Sequence, residues 1–179
     1  MCNRIIVCGG NGAGKSTLGK QLAQKLNYKF MDIEDYYFPK TDANYIYSTA
    51  RSREEVSSLL LEDMKRHKNF ILASVKGDYG DEIVSMFTCG VYINMPRDIR
   101  LKRVRDRAFG KFGDRMLPGG DLYEREQRFF DMVERRPEQY VEDWLKSLSI
   151  PIITIDGTKS VDFNVEVVLR SLVDCYGNW

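Results

Sequence analysis

One eight-residue segment near the start of the chain constrains the fold more than any other feature. Gly9-Gly10-Asn11-Gly12-Ala13-Gly14-Lys15-Ser16 matches the pattern G-x-x-x-x-G-K-[ST] at every fixed position. A short apolar run, Arg4–Cys8, precedes it, and an apolar stripe with a leucine at every fourth residue from Leu18 to Leu26 follows it. The pattern therefore has the strand before it and the helix after it that a phosphate-binding loop requires.

The residue types in this loop suit a bound polyphosphate. Glycines let the backbone turn sharply and bring N–H groups close to phosphate oxygens. A helix that starts near Lys15 adds unpaired N–H groups and the positive end of its dipole. We expect Lys15 to reach the β- and γ-phosphates, Ser16 to ligate Mg²⁺ and Thr17 to contact the α-phosphate. The rest of the cradle is formed by Gly9, Asn11, Gly12, Ala13 and Gly14.

The motif alone does not separate a kinase from a GTPase, a motor ATPase or a transporter ATPase. Further along the chain, apolar segments of strand length alternate with helical patterns. This alternation predicts an α/β fold, a three-layer sandwich in which helices cover both faces of a parallel sheet. The length suits one domain over residues 1–179. A parallel sheet of this kind binds ligands at the carboxyl ends of its strands.

Composition restricts the partners and the compartment. The 27 Lys and Arg residues nearly balance the 26 Asp and Glu residues, which gives no overall reason to expect binding to nucleic acid or to a membrane. No apolar stretch approaches the ~20 residues of a membrane span, and the first apolar run leads straight into the glycine loop, so no signal peptide is expected. The four cysteines, Cys2, Cys8, Cys89 and Cys175, have no metal-ligand spacing. They predict free thiols in the cytoplasm.

The loop GGNGAGKST, the short chain and the order of the later segments resemble the nucleoside-monophosphate kinase-like group of P-loop small-molecule kinases. Adenylate, shikimate and gluconate kinases are relatives within that group. The resemblance implies five parallel strands in the order 2-3-1-4-5, a lid after strand four, and transfer of a phosphoryl group from ATP with Mg²⁺.

An acidic segment, Phe30-Met31-Asp32-Ile33-Glu34-Asp35, ends the second predicted strand. By resemblance, Asp32 is the acid on the metal side, and Glu34 or Asp35 is the acid on the acceptor side. In an extended strand Asp32 and Glu34 would point to one side. The third strand ends in Ser74-Val75-Lys76 without the acid that motor and transporter ATPases carry there, which counts against those classes.

Two further segments match the nucleotide side of the group. Arg103 and Arg107 lie seven and eleven residues after Pro96, and the resemblance places Arg107 against the adenine or the phosphates. Arginine suits this position because its planar guanidinium grips phosphate and stacks on a base. Gly157, in the turn after strand five, is expected to pass close to the adenine.

Residues 109–120 form the predicted lid, a mobile loop that closes over ATP and excludes water. By resemblance, Arg115 is the first candidate and Lys111 the second for the cation that reaches the transferred phosphoryl group. Asp121 and Glu124 have the spacing of a capping box, which predicts that the next helix starts at Asp121.

Residues 35–53 form the predicted acceptor-side segment, which is rich in tyrosine and phenylalanine. Its rings could stack on a base or sugar, or they could only cover the core, and Arg51 or Arg53 could hold an acidic group. The expected catalytic set is Lys15, Asp32, Glu34 and Arg115, with Ser16 and Asp32 on the metal.

The predicted function is phosphoryl transfer to a nucleoside, nucleotide or sugar-like acceptor by a monomer or homodimer. Three alternatives stay open on sequence alone: a regulatory ATPase switch without a small acceptor, a non-catalytic nucleotide-binding module, and a kinase of nucleic-acid ends.

Overall fold

The structure is a computed structural model that describes residues 3–42 and 44–176; Cys2 lies outside them. The strands within these residues are, as β1 to β5, Arg4–Cys8, Lys29–Asp32, Phe70–Ala73, Cys89–Asn94 and Ile152–Asp156. The helices, as α1 to α8, are Lys15–Leu26, Ile33–Tyr37, Arg53–Arg66, Asp81–Met86, Arg97–Phe112, Tyr123–Arg135, Tyr140–Lys146 and Val161–Tyr176. A 3₁₀ turn, Gly113–Met116, follows α5.

The strands form one parallel sheet in the order β2-β3-β1-β4-β5. This confirms the predicted P-loop α/β fold and its strand order. β1 is central, and its residues Ile5 to Cys8 are fully buried. A strand buried on both faces has an uninterrupted apolar sequence, which is why β1 shows no alternation of polar and apolar residues.

The two faces of the sheet carry separate cores. On one face, α1 and α8 pack against alternate strand residues through Leu18, Leu22, Val165, Val168 and Leu172. On the other face, α3, α4 and α7 contribute Val56, Leu60, Met64, Ile83, Val141 and Leu145. A smaller cluster joins α5 to α6 through Val104, Ala108, Met116 and Phe130. This last cluster packs the 3₁₀ turn of the predicted lid against α5 and α6.

The helix boundaries differ from the predictions in places where side-chain contacts decide them. The short helices α2 and α4 were not predicted, and α5 continues to Phe112, so residues 109–112 are helical. The predicted capping box at Asp121 is wrong. Helix α6 begins at Tyr123 with Leu122 as its N-cap and no side-chain cap, because the Asp121 carboxylate pairs with Arg115 instead.

Within the described residues, no helix is long and apolar enough to cross a membrane. Cys8 and Cys89 are buried free thiols. Burial raises the pKa of the Cys8 thiol far above its ordinary value. A thiol that stays protonated is a poor nucleophile, so Cys8 acts as a small core residue.

Candidate active site

The phosphate-binding loop joins the buried end of β1 to the start of α1. Gly12 and Gly14 have φ angles of 83° and 95°, which lie in the left-handed region that favours glycine. A Cβ at Gly12 would also lie 2.3 Å from the carbonyl oxygen of Arg100. Glycine is therefore required at Gly12 both by the backbone conformation and by the close approach of α5.

Lys15 lies at the first position of α1, half-buried beneath the loop. Its Nζ donates a hydrogen bond to the carbonyl oxygen of Gly10, at 3.0 Å. Burial lowers the Lys15 pKa to about 8, although the nearby carboxylates of Glu34 and Asp32 oppose the shift. An amine that has lost water and gained few partners is ready to bind an anion, which would restore its charge.

The two acids expected at the end of β2 lie near Lys15, but the geometry predicted for them is wrong. Asp32 is the N-cap of α2, where its Oδ1 accepts a hydrogen bond from the backbone N–H of Glu34 at 3.1 Å. The chain turns into a helix at Ile33, so Asp32 and Glu34 do not share one side of an extended strand. Both still act electrostatically on Lys15, Glu34 more strongly than Asp32.

The structure also separates Glu34 from Asp35. The Glu34 carboxylate lies 3.8 Å from the Arg107 guanidinium and lines a large cavity. The Asp35 carboxylate is exposed and pairs with the Lys40 ammonium at 2.5 Å. Of the two candidate acceptor-side acids, Glu34 is therefore the one that faces the cavity.

Two cavities beside the loop are lined by the residues predicted for the site. A cavity of about 280 Å³ is lined by loop and α1 residues together with the turn after β5: Gly12, Ala13, Gly14, Thr17, Arg103 and Gly157. A cavity of about 500 Å³ is bounded by Asn11 of the loop, by Glu34 and by Arg107, and its far walls are aromatic. Both cavities lie at the carboxyl ends of the strands, where ligands bind in such sheets.

Gly157 lines the smaller cavity, and the neighbouring side chains leave no room for a Cβ at this position. A Cβ at Gly157 would lie 2.8 Å from side-chain atoms of Ile93 and Met95. Its N–H donates to the Asn94 carbonyl oxygen at 2.7 Å, which ties the turn to β4. The predicted close approach at Gly157 therefore has a structural basis, while its contact with adenine stays a prediction.

The basic residues divide between the two cavities. Arg103 lines the smaller cavity, whereas Arg107 lines the larger one beside Glu34. Arg107, which the resemblance places against the nucleotide, therefore borders the larger cavity, whereas Arg103 borders the cavity of Gly12 and Gly157.

Arg115 is held away from both cavities by other partners. Its guanidinium makes two bonds to the Asp121 carboxylate, at 2.7 and 3.0 Å, and donates to the Asn44 carbonyl oxygen at 2.7 Å. Lys111 lines the larger cavity and donates to the Tyr47 hydroxyl at 2.7 Å. The predicted lid residues therefore contact the predicted acceptor-side segment directly.

Residues 5–113, more than half of the chain, match the family described as AAA domain (AAA_18). The chain belongs to this P-loop family. The chain is also 31% identical to the uncharacterized protein YqaC of Bacillus subtilis over 180 residues, which is 96% of this chain and 98% of YqaC. A shikimate kinase of Bacteroides thetaiotaomicron is 30% identical over 110 residues, 57% of this chain and 63% of that protein.

Solved structures of small-molecule kinases share the fold across nearly the whole chain. Shikimate kinase from Acinetobacter baumannii in complex with shikimate has a TM-score of 0.60 at 18% identity, covering 99% of this chain and 97% of that one. A gluconokinase from Sinorhizobium meliloti has a TM-score of 0.58 at 14% identity, covering 97% and 93%. Deoxyadenosine kinase from M. mycoides with bound dCTP has a TM-score of 0.57 at 17% identity, covering 96% and 99%. The predicted resemblance to small-molecule kinases is confirmed.

Two residues that line the larger cavity of this P-loop family member were not predicted from the sequence. Arg136, between α6 and α7, donates to Asn11 Oδ1 at 2.6 Å and lines the larger cavity. Glu126 of α6 also lines that cavity, buried and bonded to the Tyr45 hydroxyl. Neither residue lies in a recognisable motif, and only the aromatic stretch around Tyr45 hinted at a binding role.

The aromatic stretch of residues 35–53 does line the larger cavity. Rings from this stretch meet a ring of α5 there: Tyr37, Phe38, Tyr45, Tyr47 and Phe112. Arg53 lines the same cavity, whereas Arg51 donates to the Tyr36 carbonyl oxygen at 2.7 Å. Because these rings border open space, they are available to stack on a ligand and do not serve only as cover for the core.

Proposed function

We propose that this chain transfers the γ-phosphoryl group of ATP, bound with Mg²⁺, to a small-molecule acceptor. The observation that carries the proposal is that the phosphate-binding loop borders two separate cavities with different linings. The smaller cavity has the loop backbone and the Gly157 turn of a nucleotide site, and the larger has an acid and several cations beside the loop. A nucleotide-binding switch needs only the first of these.

The residues around the loop fit Mg²⁺ bound with a nucleotide. No group of three or more His, Cys, Asp or Glu side chains in the described ranges could hold a metal alone. Mg²⁺ usually takes substrate phosphates and water as most of its ligands, so Ser16 and Asp32 suffice as protein contributors. When bound, Mg²⁺ would neutralise charge on the β- and γ-phosphates.

The chain's own side chains divide the remaining work. Lys15 binds the β- and γ-phosphates, and Arg107 stabilises charge on the transferred group from the acceptor side. Glu34, turned toward the larger cavity, orients the acceptor group and can accept its proton. Arg115 is proposed to reach the transferred group when the lid closes, which requires it to leave Asp121.

The acceptors for a test come from the predicted classes and from the names of the related kinases. ATP consumption with Mg²⁺ is measured against nucleosides, nucleoside monophosphates, gluconate and shikimate, in wild type and in Lys15→Ala. Lys20→Ala is the matched control, because Lys20 is an exposed lysine of the same helix. We expect acceptor-dependent consumption that is lost in Lys15→Ala and kept in Lys20→Ala.

The opposite outcome is equally clear. Consumption that is independent of every acceptor, or absent while ATP still binds, would reject the kinase proposal in favour of a regulatory ATPase or a binding module. Phosphorylation of nucleic-acid ends in preference to small acceptors would favour the third alternative.

A further inference from the structure

Besides the Glu34 carboxylate, the buried carboxylate of Glu126 lies in the wall of the larger cavity. Glu126 is 3% exposed, and its Oε1 accepts a hydrogen bond from the Tyr45 hydroxyl at 2.8 Å. Among the described residues, Tyr45 is the one protein donor that reaches this carboxylate. A buried carboxylate can accept several hydrogen bonds, so a single donor leaves most of this capacity unused.

The second carboxylate oxygen, Oε2, has no hydrogen-bond donor among the described residues. Glu126 is a lining residue of the cavity, and its oxygens are not among the fully enclosed atoms of the described residues that lack a partner. Oε2 is therefore the oxygen of this cavity-lining residue that has capacity left for a ligand. Within the described residues no Lys or Arg side chain forms a close ion pair with Glu126, and the Arg125 guanidinium lies instead 4.9 Å from the Tyr45 ring centre.

The orientation of Glu126 is fixed by aromatic packing. Tyr45 is 7% exposed, and its ring packs at 5.7 Å from Tyr47 and 5.2 Å from Phe112, centre to centre. Burial and the bond to Glu126 raise the pKa of Tyr45, so its hydroxyl stays protonated and keeps donating. Oε1 is therefore bonded to Tyr45, which leaves Oε2 to accept a hydrogen bond from a ligand.

Glu126 and Arg136 lie at different distances from the phosphate-binding loop. Arg136 contacts Asn11 of the phosphate-binding loop, and Glu126 precedes it by ten residues. Ten helical residues rise about 15 Å, so Glu126 lies well away from the contact that Arg136 makes with the loop. The cavity wall beside Glu126 is aromatic, because the Tyr45 ring packs on Tyr47 and Tyr47 packs on Phe38.

Flat rings beside an unsatisfied carboxylate select for a planar group that carries a hydrogen-bond donor. Aromatic side chains bind nucleobases by stacking, and a carboxylate accepts from an exocyclic amino group of cytosine or adenine. We propose that Glu126 is a specificity-determining residue that accepts a hydrogen bond from the amino group of a nucleobase, which makes the acceptor a nucleoside or nucleotide with an amino-bearing base. This inference rests on the proposed phosphoryl transfer.

The test compares matched acceptors that differ at the amino position. CMP with UMP, AMP with IMP, and the corresponding nucleosides exchange an amino donor for a carbonyl acceptor. The kcat/KM ratio of amino to carbonyl compound is measured in wild type, Glu126→Gln and Glu124→Gln. Glu124 is a matched control because it is an exposed glutamate two residues earlier on the same helix.

In wild type we expect the ratio to favour the amino compound roughly tenfold or more, the range for a hydrogen bond to a charged group. In Glu126→Gln the amide oxygen can still accept from Tyr45, which turns the amide NH₂ toward the cavity and against an amino group. The ratio should fall roughly tenfold through the acceptor KM, with the KM for ATP unchanged and Glu124→Gln at the wild-type value.

A wild-type ratio near one, or a ratio that Glu126→Gln leaves unchanged, would overturn the inference and leave Glu126 a structural partner of Tyr45. The wild-type comparison needs no variant, so poor folding of Glu126→Gln does not protect the idea. Turnover of shikimate or gluconate, but of no nucleoside or nucleotide, would reject the role of Glu126 while phosphoryl transfer stands. If calorimetry shows tighter binding of CMP than of UMP but no acceptor is turned over, phosphoryl transfer is rejected and base recognition by Glu126 stands.

Discussion

At the scale of single residues, the charge state of Lys15 is the feature with the most direct consequence. Burial lowers its pKa to about 8, so the amine is charged below that pH and neutral above it. Bound phosphates would raise the pKa again, because they stabilise the charged form. Nucleotide binding above pH 8 therefore requires uptake of a proton.

We expect ATP affinity to be constant at pH values well below 8 and to fall by up to about tenfold per unit above it. Calorimetric titrations between pH 6.5 and 9.5, in buffers of different ionisation enthalpy, would measure both the affinity and the proton uptake. Lys15→Ala should bind weakly with no such dependence. A wild-type affinity that is flat through pH 9 would contradict the assignment of Lys15 as the phosphate-binding amine.

Asp32 offers a second prediction, because its capping role and its chemical role can be separated. Asparagine caps a helix as well as aspartate does, so Asp32→Asn should retain the fold. Turnover should fall roughly 100-fold or more while ATP affinity changes little. Turnover and thermal unfolding are measured side by side, with Asp35→Asn as the control on the same short helix. Near-wild-type turnover of Asp32→Asn would remove Asp32 from the metal site.

At the scale of elements, the region after α5 is tied to the acceptor-side segment rather than free in solvent. Arg115 bonds to Asp121 within its own turn and to the backbone of Asn44 across the gap. The predicted role of Arg115 at the transferred phosphoryl group requires these bonds to break. An exposed ion pair contributes little to stability, which makes such a movement feasible.

Two variants separate the pair from the reaction. Arg115→Ala should lower kcat roughly 100-fold or more with only a small shift in melting temperature. Asp121→Asn removes the same ion pair but keeps the arginine, so its kcat should stay at or above the wild-type value. If both variants lose activity equally, the pair positions the segment and Arg115 does not reach the phosphoryl group.

Element boundaries were also where sequence reasoning was weakest. The strands could be predicted, because buried parallel strands are continuous apolar runs. The start of α6 could not be predicted, since Asp121 has the residue type and spacing of a helix cap but its carboxylate pairs with Arg115. The short helix α2 was hidden for a related reason: its five residues are too few to show a helical period.

At the scale of the whole molecule, the two cores on the faces of the sheet support the site at its carboxyl-end edge. Leu172 of α8 is fully buried against α1 and the sheet, whereas Phe163 of the same helix is 55% exposed. The carboxyl-end edge of the sheet, with its loop and cavities, depends on this packing for its position and not for its chemistry.

Leu172→Ala should therefore lower the free energy of unfolding by about 2–5 kcal/mol. Phe163→Ala should change it by about 0.5 kcal/mol or less. Urea unfolding measures both variants, and activity per folded molecule should match wild type in each. Equal stability of the two variants would show that α8 is not part of the cooperative core.

The phosphate-binding loop and the five strands could be recognised in the sequence alone, because they depend on neighbours within a few positions of the chain. Which candidate site residues lie together was fixed by tertiary packing. It turned Glu34 rather than Asp35 to the cavity, divided Arg103 from Arg107, and joined pairs as distant as Arg136 with Asn11, 125 residues apart, and Tyr45 with Glu126, 81 apart. Such contacts follow from how helices pack at the end of the sheet, and no local pattern in a single sequence records that packing.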